Sequence, residues 1–142
     1  MVSIAFVCVH NAGRSQMAAA FGRAMAPPGV RIFSGGTEPA KSINPTVVAV
    51  MREKGIDLSR EVPRKLSYEE AMSADYFITM GCSPDEACPA GYRGDVREWE
   101  LPDPKGKSED EVRKIRDEIE ARVRALLREI AEAKPRARGA SA

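Results

Sequence analysis

The sequence lacks an excess of charge of either sign and lacks any long apolar run. Its 142 residues include 22 basic and 21 acidic side chains, a net charge of +1, which is far from the basic composition of nucleic-acid-binding proteins. No apolar run approaches the ~20 residues of a membrane span. The first residues also lack the basic and then apolar pattern of a secretory signal. We therefore expect no nucleic-acid or membrane partner and a cytoplasmic location.

Cysteine and histidine are scarce, with three and one residues respectively. An odd number of cysteines leaves one over in any disulfide framework, so catalytic or redox roles are favoured. These four side chains could instead hold zinc, but the spacings Cys8-x-His10 and Cys82-x5-Cys88 fit zinc sites poorly. Arg14 would also repel a cation beside Cys8. We predict no metal site and no tightly bound cofactor.

The most informative stretch is the loop of residues 8–14, between a short apolar strand at residues 4–7 and a run of helix formers. Backbone amides at such a junction, together with the helix dipole, favour a tetrahedral oxyanion. Cys8 would lie at the floor of this site as the nucleophile. Arg14 would bind two oxygens of the anion through its planar guanidinium. The same donors would stabilise the thiolate form of Cys8.

The remaining residues of this loop, and Ser15 directly after it, are also predicted to contact the substrate. They are Val9, His10, Asn11, Ala12, Gly13 and Ser15. Asn11 tolerates a left-handed backbone and can bond neighbouring amides. Ser15 is interpreted as the helix N-cap, as a hydroxyl donor to the sulfur of Cys8, or as both. His10 is interpreted as a residue of the rim rather than a catalyst.

Strands and helices alternate along the rest of the chain. We predict further strands at residues 30–34, 76–80 and 96–101, and helices that begin after Asn44, Ser67 and Ser108. The helix after Asn44 is predicted to end at Gly55. The last helix has an apolar stripe that would cover a sheet face, made of Val112, Ile115, Ile119, Val123, Leu126, Leu127 and Ile130.

This alternation predicts an α/β fold in which a mostly parallel sheet lies between helices, with the ligand at the carboxyl ends of the strands. The length is that of one domain. We assign residues 1–133 to a single catalytic domain. Residues 134–142 contain three basic residues, one proline and no bulky apolar side chain, so they are predicted to be a flexible tail.

Two further groups fall beyond the ends of predicted strands. Cys82 and Cys88 follow the third strand on a loop that could bring the two thiols together, so that they form a three-thiol relay with Cys8. Alternatively, they are unrelated thiols, one in the core and one exposed. Asp103, held between Pro102 and Pro104, is the candidate general acid; alternatively, it only stabilises a turn.

These motifs recur in one order in a known family. The chain resembles the arsenate reductases built on the low-molecular-weight protein tyrosine phosphatase fold, from about residue 4 to residue 127. The landmarks are Cys8-x5-Arg14-Ser15-Gln16-Met17-Ala18, Ser34-Gly35-Gly36-Thr37-Glu38-Pro39, Asn44-Pro45, Gly55-Ile56-Asp57, Thr79-Met80-Gly81-Cys82, Ala87-Cys88-Pro89, Trp99, Asp103-Pro104 and Ile115-Arg116-Asp117-Glu118-Ile119. The resemblance implies a three-layer sandwich with a four-stranded parallel sheet flanked by helices.

The resemblance also implies a mechanism. Cys8 attacks arsenic(V), with Asp103 as the acid, and Cys82 then expels arsenite by forming a disulfide with Cys8. Cys88 resolves this bond by pairing with Cys82, and thioredoxin reduces the final disulfide. A branch of the family uses a low-molecular-weight thiol as reductant instead.

Two other functions remain open at this point. A phosphatase of this fold would form a phosphocysteine at Cys8 that water hydrolyses. Phosphotyrosine enzymes of the fold usually carry aromatic residues beside the Asp-Pro pair, whereas Asp103-Pro104 leads into Lys105-Gly106-Lys107. A binding protein for oxyanions or metals, without turnover, is the third hypothesis.

Overall fold

The structure is a computed structural model that describes residues 1–133. Four parallel strands form one sheet in the order β2-β1-β3-β4. They are β1 (Val2–Cys8), β2 (Val30–Gly36), β3 (Tyr76–Met80) and β4 (Asp95–Glu98). The helices are α1 (Arg14–Met25), α2 (Pro45–Arg52), α3 (Tyr68–Ser73), α4 (Pro84–Ala87) and α5 (Glu109–Glu132). The predicted four-stranded parallel sheet is confirmed, while the predicted tail at 134–142 lies outside the described residues.

Two apolar clusters lie on opposite faces of the sheet, because alternate side chains of a strand point to opposite sides. Ile4 and Phe6 belong to the larger cluster, with the buried faces of α1, α2 and α5. Ala5 and Val7 belong to the smaller one, which includes Ala71 of α3 and borders α4. Helices therefore cover both faces, and the predicted three-layer sandwich is confirmed.

The predicted helix boundaries rest on local capping groups that the structure contains. The Asn44 side chain accepts a hydrogen bond from the backbone N–H of Thr46 at 2.8 Å, and Ser67 and Ser108 each begin a complete capping box. Gly55 has φ of +77°, a backbone conformation that few L-residues adopt at low cost, and it terminates the turn after α2.

Strands β1 and β2 are each longer than predicted by two or three residues, and α2 ends at Arg52 rather than at Gly55.

Two further differences concern β4 and the segment after β3. The fourth strand ends at Glu98 rather than at residue 101, because its partner β3 ends at Met80 and offers no further pairing. The segment between Cys82 and Cys88, predicted as a loop, contains the four-residue helix α4. Its N-cap Ser83 precedes Pro84 at the first helical position, a helix-start pattern that the sequence does contain.

The long helix α5 packs its predicted apolar stripe against α1 and α2, and only Ile130 of that stripe is incompletely buried. Within residues 1–133, none of the helices has the length and apolarity that crossing a bilayer requires.

We expect Ile119→Ala to lower the free energy of unfolding by about 2–5 kcal/mol, because Ile119 is fully buried between α5 and the core and its loss leaves a cavity. Urea unfolding measures this loss. The matched control is Ile130→Ala on the same helix, where the side chain is only partly buried and the expected loss is less than half as large. Equal losses for both variants would contradict the packing described.

Candidate active site

The candidate site lies where the chain leaves the centre of the sheet. Strand β1 has β2 on one side and β3 on the other. The chain segments that leave these neighbouring strands therefore run in different directions, and a crevice opens at the carboxyl end of β1. Cys8 is the last residue of β1 and is only 2% exposed, and Arg14 is the first residue of α1. The predicted loop of residues 8–14 therefore occupies this crevice, and we call it the cradle.

Carbonyl groups of the cradle are bound by the segment that follows β2. The carbonyl oxygens of Cys8, Val9, His10 and Ala12 accept hydrogen bonds from the backbone N–H groups of Thr37, Glu38, Ala40 and Asn44, at 2.8–3.1 Å. In a trans peptide the N–H group points opposite to the C=O group. The N–H groups of the residues that follow these four carbonyls are thereby directed to the other side of the loop, where an anion would be bound.

Asn11 holds the cradle in this shape. Its φ of +52° places it in the left-handed region, as its residue type predicts. Its side-chain oxygen accepts from the side-chain nitrogen of Gln16 at 3.0 Å and from the backbone N–H of Arg64 at 2.9 Å. Its side-chain nitrogen donates to Ser15 Oγ at 2.7 Å. Because Asn11 is fully buried, these bonds are shielded from water.

Ser15 contacts the thiol rather than capping the helix. The N-cap of α1 is Gly13, without a side-chain bond, so the N-cap interpretation of Ser15 is wrong. Ser15 Oγ lies 2.9 Å from Cys8 Sγ. Since the same oxygen already accepts a hydrogen bond from Asn11, its own proton is available to donate to the sulfur.

Arg14 is nearly buried beside Cys8, with 6% of its surface exposed. One terminal nitrogen, Nη1, donates to the backbone oxygen of Leu101 at 3.1 Å, and the other, Nη2, lies 3.8 Å from Asp103 Oδ2. A guanidinium has five N–H donors, so these contacts leave donors for an oxyanion. Arg14 thus connects the loop after β1 with the loop after β4.

Asp103 stabilises a turn and also lies near Arg14. Its Oδ1 accepts from the backbone N–H of Lys105 at 3.0 Å, which stabilises a turn, while Oδ2 faces Arg14. The side chain is half exposed. Pro104 is buried against Gly13, where a Cβ atom would lie 2.7 Å from Cγ of Pro104. This close packing fixes the loop that carries Asp103 over the cradle.

The cavity above Cys8 has a volume of about 680 Å³. It is lined by Cys8, His10, Ala12, Gly13, Arg14, Glu38, Pro39, Ala40, Ser42, Ile43, Asn44, Pro45, Asp103, Pro104, Lys105 and Gly106. Among the described residues, this lining includes no phenylalanine, tyrosine or tryptophan. His10 is exposed at the rim, where its Nδ1 lies 3.1 Å from the backbone oxygen of Glu38.

The second thiol, Cys82, lies just past the end of β3, and it packs in the smaller apolar cluster whereas Cys8 packs in the larger one. Cys8 pairs in register with Met80, and Cys82 comes two residues after that partner. Cys82 is 7% exposed, and its Sγ donates to the backbone oxygen of Val7 at 3.6 Å. Burial, and then the nearby charge of Cys8, raise the pKa of Cys82. In the resting protein Cys82 is therefore a protonated thiol.

The third thiol follows helix α4. Cys88 is partly exposed and packs against the same apolar cluster that contains Cys82 and Val7. Burial, and then the carboxylate of Asp85, raise the pKa of Cys88. All three cysteines are free thiols in this structure. The structure thus brings Cys82 and Cys88 to one cluster rather than to unrelated places.

Sequence reasoning missed several supporting residues. Arg64 supplies a backbone donor to Asn11, and its guanidinium binds the backbone oxygen of Ser34 at 3.0 Å and Glu70 at 2.6 Å. No local pattern indicates this role, because Arg64 and Asn11 are 53 residues apart in the chain.

Within residues 1–133, no group of three histidine, cysteine or acidic side chains is arranged to hold a metal ion.

Residues 3–136 match the family model described as low molecular weight phosphotyrosine protein phosphatase. A Halobacterium salinarum protein, provisionally named as an arsenate reductase, is 47% identical over 87% of this chain and 89% of its own length. A thioredoxin-dependent arsenate reductase of Corynebacterium glutamicum superposes with a TM-score of 0.80 at 34% identity. That match covers 94% of this chain but only 64% of the Corynebacterium chain. An arginine phosphatase of Geobacillus stearothermophilus superposes at 0.74 with 26% identity, over 92% and 94% of the two chains.

We expect Ser15→Ala to slow the alkylation of Cys8 by iodoacetamide about tenfold at neutral pH. Removing one hydrogen bond to a charged sulfur costs about 1.5–3 kcal/mol, so the attacking sulfur of Cys8 loses that stabilisation. The matched control is Ser42→Ala, which alters a serine at the rim of the same cavity and should leave the rate unchanged. An unchanged rate in Ser15→Ala would show that this hydroxyl does not stabilise the thiolate.

Proposed function

The chain belongs to the low molecular weight phosphotyrosine protein phosphatase family, and we propose that within it this protein acts as an arsenate reductase. The observation that carries this proposal is a second buried thiol, Cys82, on the segment after β3, the strand that pairs with β1 as far as Cys8. An enzyme that only hydrolyses a cysteine adduct uses water as its second nucleophile and needs no second thiol. The arsenate reductases that this chain resembles support the same conclusion.

The first step forms a bond between sulfur and arsenic. The Cys8 thiolate attacks arsenic(V) of an arsenate held by the loop amides and by Arg14. Asp103 gives a proton to the departing oxygen, so that hydroxide leaves as water. The product is a covalent adduct between Cys8 and arsenic in which no electron has yet been transferred.

The second step is the reduction. Cys82 attacks the sulfur of Cys8, the sulfur–arsenic bond breaks, and its electron pair remains on arsenic, which leaves as arsenite. The two sulfurs lose two electrons in total and form a disulfide between Cys8 and Cys82. Because the raised pKa keeps Cys82 protonated, it must lose its proton before it attacks.

The third step returns Cys8 to its starting state. Cys88 attacks Cys82, releases the Cys8 thiolate and leaves a disulfide between Cys82 and Cys88. Cys88 is more exposed than Cys82, so this second disulfide lies closer to the surface. We propose thioredoxin as its reductant, with a low-molecular-weight thiol as the alternative. A relay of three free thiols requires a reducing compartment, which favours the cytoplasm.

A phosphatase is the alternative function, since the same cradle would form a phosphocysteine at Cys8. The structural similarity to an arginine phosphatase supports this alternative. The cavity argues against phosphotyrosine as the substrate, because its described lining has no phenylalanine, tyrosine or tryptophan to stack on a phenyl ring.

The relay predicts different products for two matched variants. With arsenate, Cys88→Ser should release about one equivalent of arsenite and stop as a disulfide between Cys8 and Cys82, since the resolving thiol is absent. Cys82→Ser should release almost none. Mass spectrometry of peptides identifies the disulfide, and chromatography quantifies arsenite. Sustained turnover of either variant with thioredoxin at the parent rate would contradict an internal relay.

A coupled assay separates the proposed function from its alternatives. With arsenate, thioredoxin, thioredoxin reductase and NADPH, the protein should consume NADPH only when arsenate is present, and Cys8→Ser should abolish this consumption. Hydrolysis of an aryl phosphate without arsenate-dependent consumption of NADPH would instead assign a phosphatase. Tight oxyanion binding with neither activity would assign a binding protein.

A further inference from the structure

Gly81, which stands directly before Cys82, lies against the guanidinium of Arg14. Its φ of +92° belongs to the region that favours glycine. A Cβ atom at this position would lie 2.7 Å from Cζ of Arg14 and closer still to Nη1. Carbon and nitrogen atoms in contact are usually separated by about 3.5 Å or more. The flat guanidinium therefore rests on backbone that carries no side chain.

The other contacts of the Arg14 guanidinium come from a different segment of the chain than Gly81. Leu101 contacts Nη1 through its backbone oxygen, and Asp103 lies near Nη2, both from the loop after β4. Gly81 lies on the segment after β3. The guanidinium is thus held between two segments of chain, one carrying the proposed acid and the other carrying the proposed second thiol.

We propose that Gly81 is a positioning residue for oxyanion binding, because it sets where the guanidinium of Arg14 lies above Cys8. This inference deepens the proposed function, on which it rests for the role of Arg14. It makes the segment that carries Cys82 a support for the guanidinium that binds the oxyanion. A side chain at position 81 would displace the guanidinium from the anion before it altered the sheet, because the clashing atoms are the end of a flexible side chain rather than backbone.

The test is the variant Gly81→Ala, studied with inorganic phosphate as the probe. Phosphate bound in the cradle protects Cys8 from iodoacetamide, so the concentration that halves the alkylation rate measures its affinity. We expect this concentration to rise about tenfold or more, as for the loss of a hydrogen bond to a charged group. The alkylation rate without phosphate should change less than about twofold, because the hydrogen bond between Ser15 Oγ and the sulfur of Cys8 remains. In the arsenate assay, KM should rise by a similar factor and kcat should change less.

Gly91→Ala is the matched control. Gly91 has φ of +83°, but a Cβ atom there would have no contact within 4 Å among the described residues. The substitution imposes the same kind of backbone strain without contacting Arg14. The Gly91→Ala variant should therefore bind phosphate with the affinity of the parent protein. Parental affinity in Gly81→Ala, or an equal loss in Gly91→Ala, would overturn the proposal.

A double-mutant cycle tests whether Gly81 acts through Arg14. In an Arg14→Lys background, Gly81→Ala should weaken phosphate binding much less than in the parent, because the planar group that it displaces is absent. Equal weakening in both backgrounds would overturn the proposal. Phosphate is bound and not reduced, so these outcomes are independent of whether the protein reduces arsenate.

Discussion

A buried sulfur that must carry negative charge needs hydrogen-bond donors, and the rest of this structure depends on how the loop after β1 supplies them. Burying a charge without donors is costly enough that the group would instead stay neutral. Here the segment after β2 binds the loop carbonyls from outside, which turns the amides toward the anion site. The strained backbone of Asn11 is held in place by its three side-chain hydrogen bonds.

The order of the strands explains why distant segments meet at this one point. In a parallel sheet all strands end at the same edge, and β1 lies between β2 and β3. Cys8 therefore has the end of β3, and with it Gly81 and Cys82, on one side. The loop after β4 reaches the same crevice and brings Asp103 to Arg14. The guanidinium, in contact with both loops, links them.

The features that could be predicted from the sequence are decided by neighbours in the chain. Capping residues such as Ser108 and the spacing between Cys8 and Arg14 act within a few residues, so a single sequence reveals them. The bond between Arg64 and Asn11 depends on the final fold and has no local signature. The length of β4 is set by the end of its partner, which hydropathy alone does not contain. The proposed roles of Cys82, Cys88 and Asp103 stay predictions that their placement supports.

Whether such a cradle hydrolyses or reduces its substrate depends on what the second nucleophile attacks. When water attacks phosphorus, the oxidation state is unchanged and the sulfur leaves as a thiolate. When a thiol attacks sulfur, the departing group must accept an electron pair, which arsenic(V) does far more readily than phosphorus(V). A second buried thiol such as Cys82 is thus of little use to a phosphatase, whereas in the proposed mechanism it supplies the electrons that arsenate reduction requires. In the proposed mechanism the cradle selects tetrahedral oxyanions as a class, and the chemistry of the central atom then decides which of them is reduced.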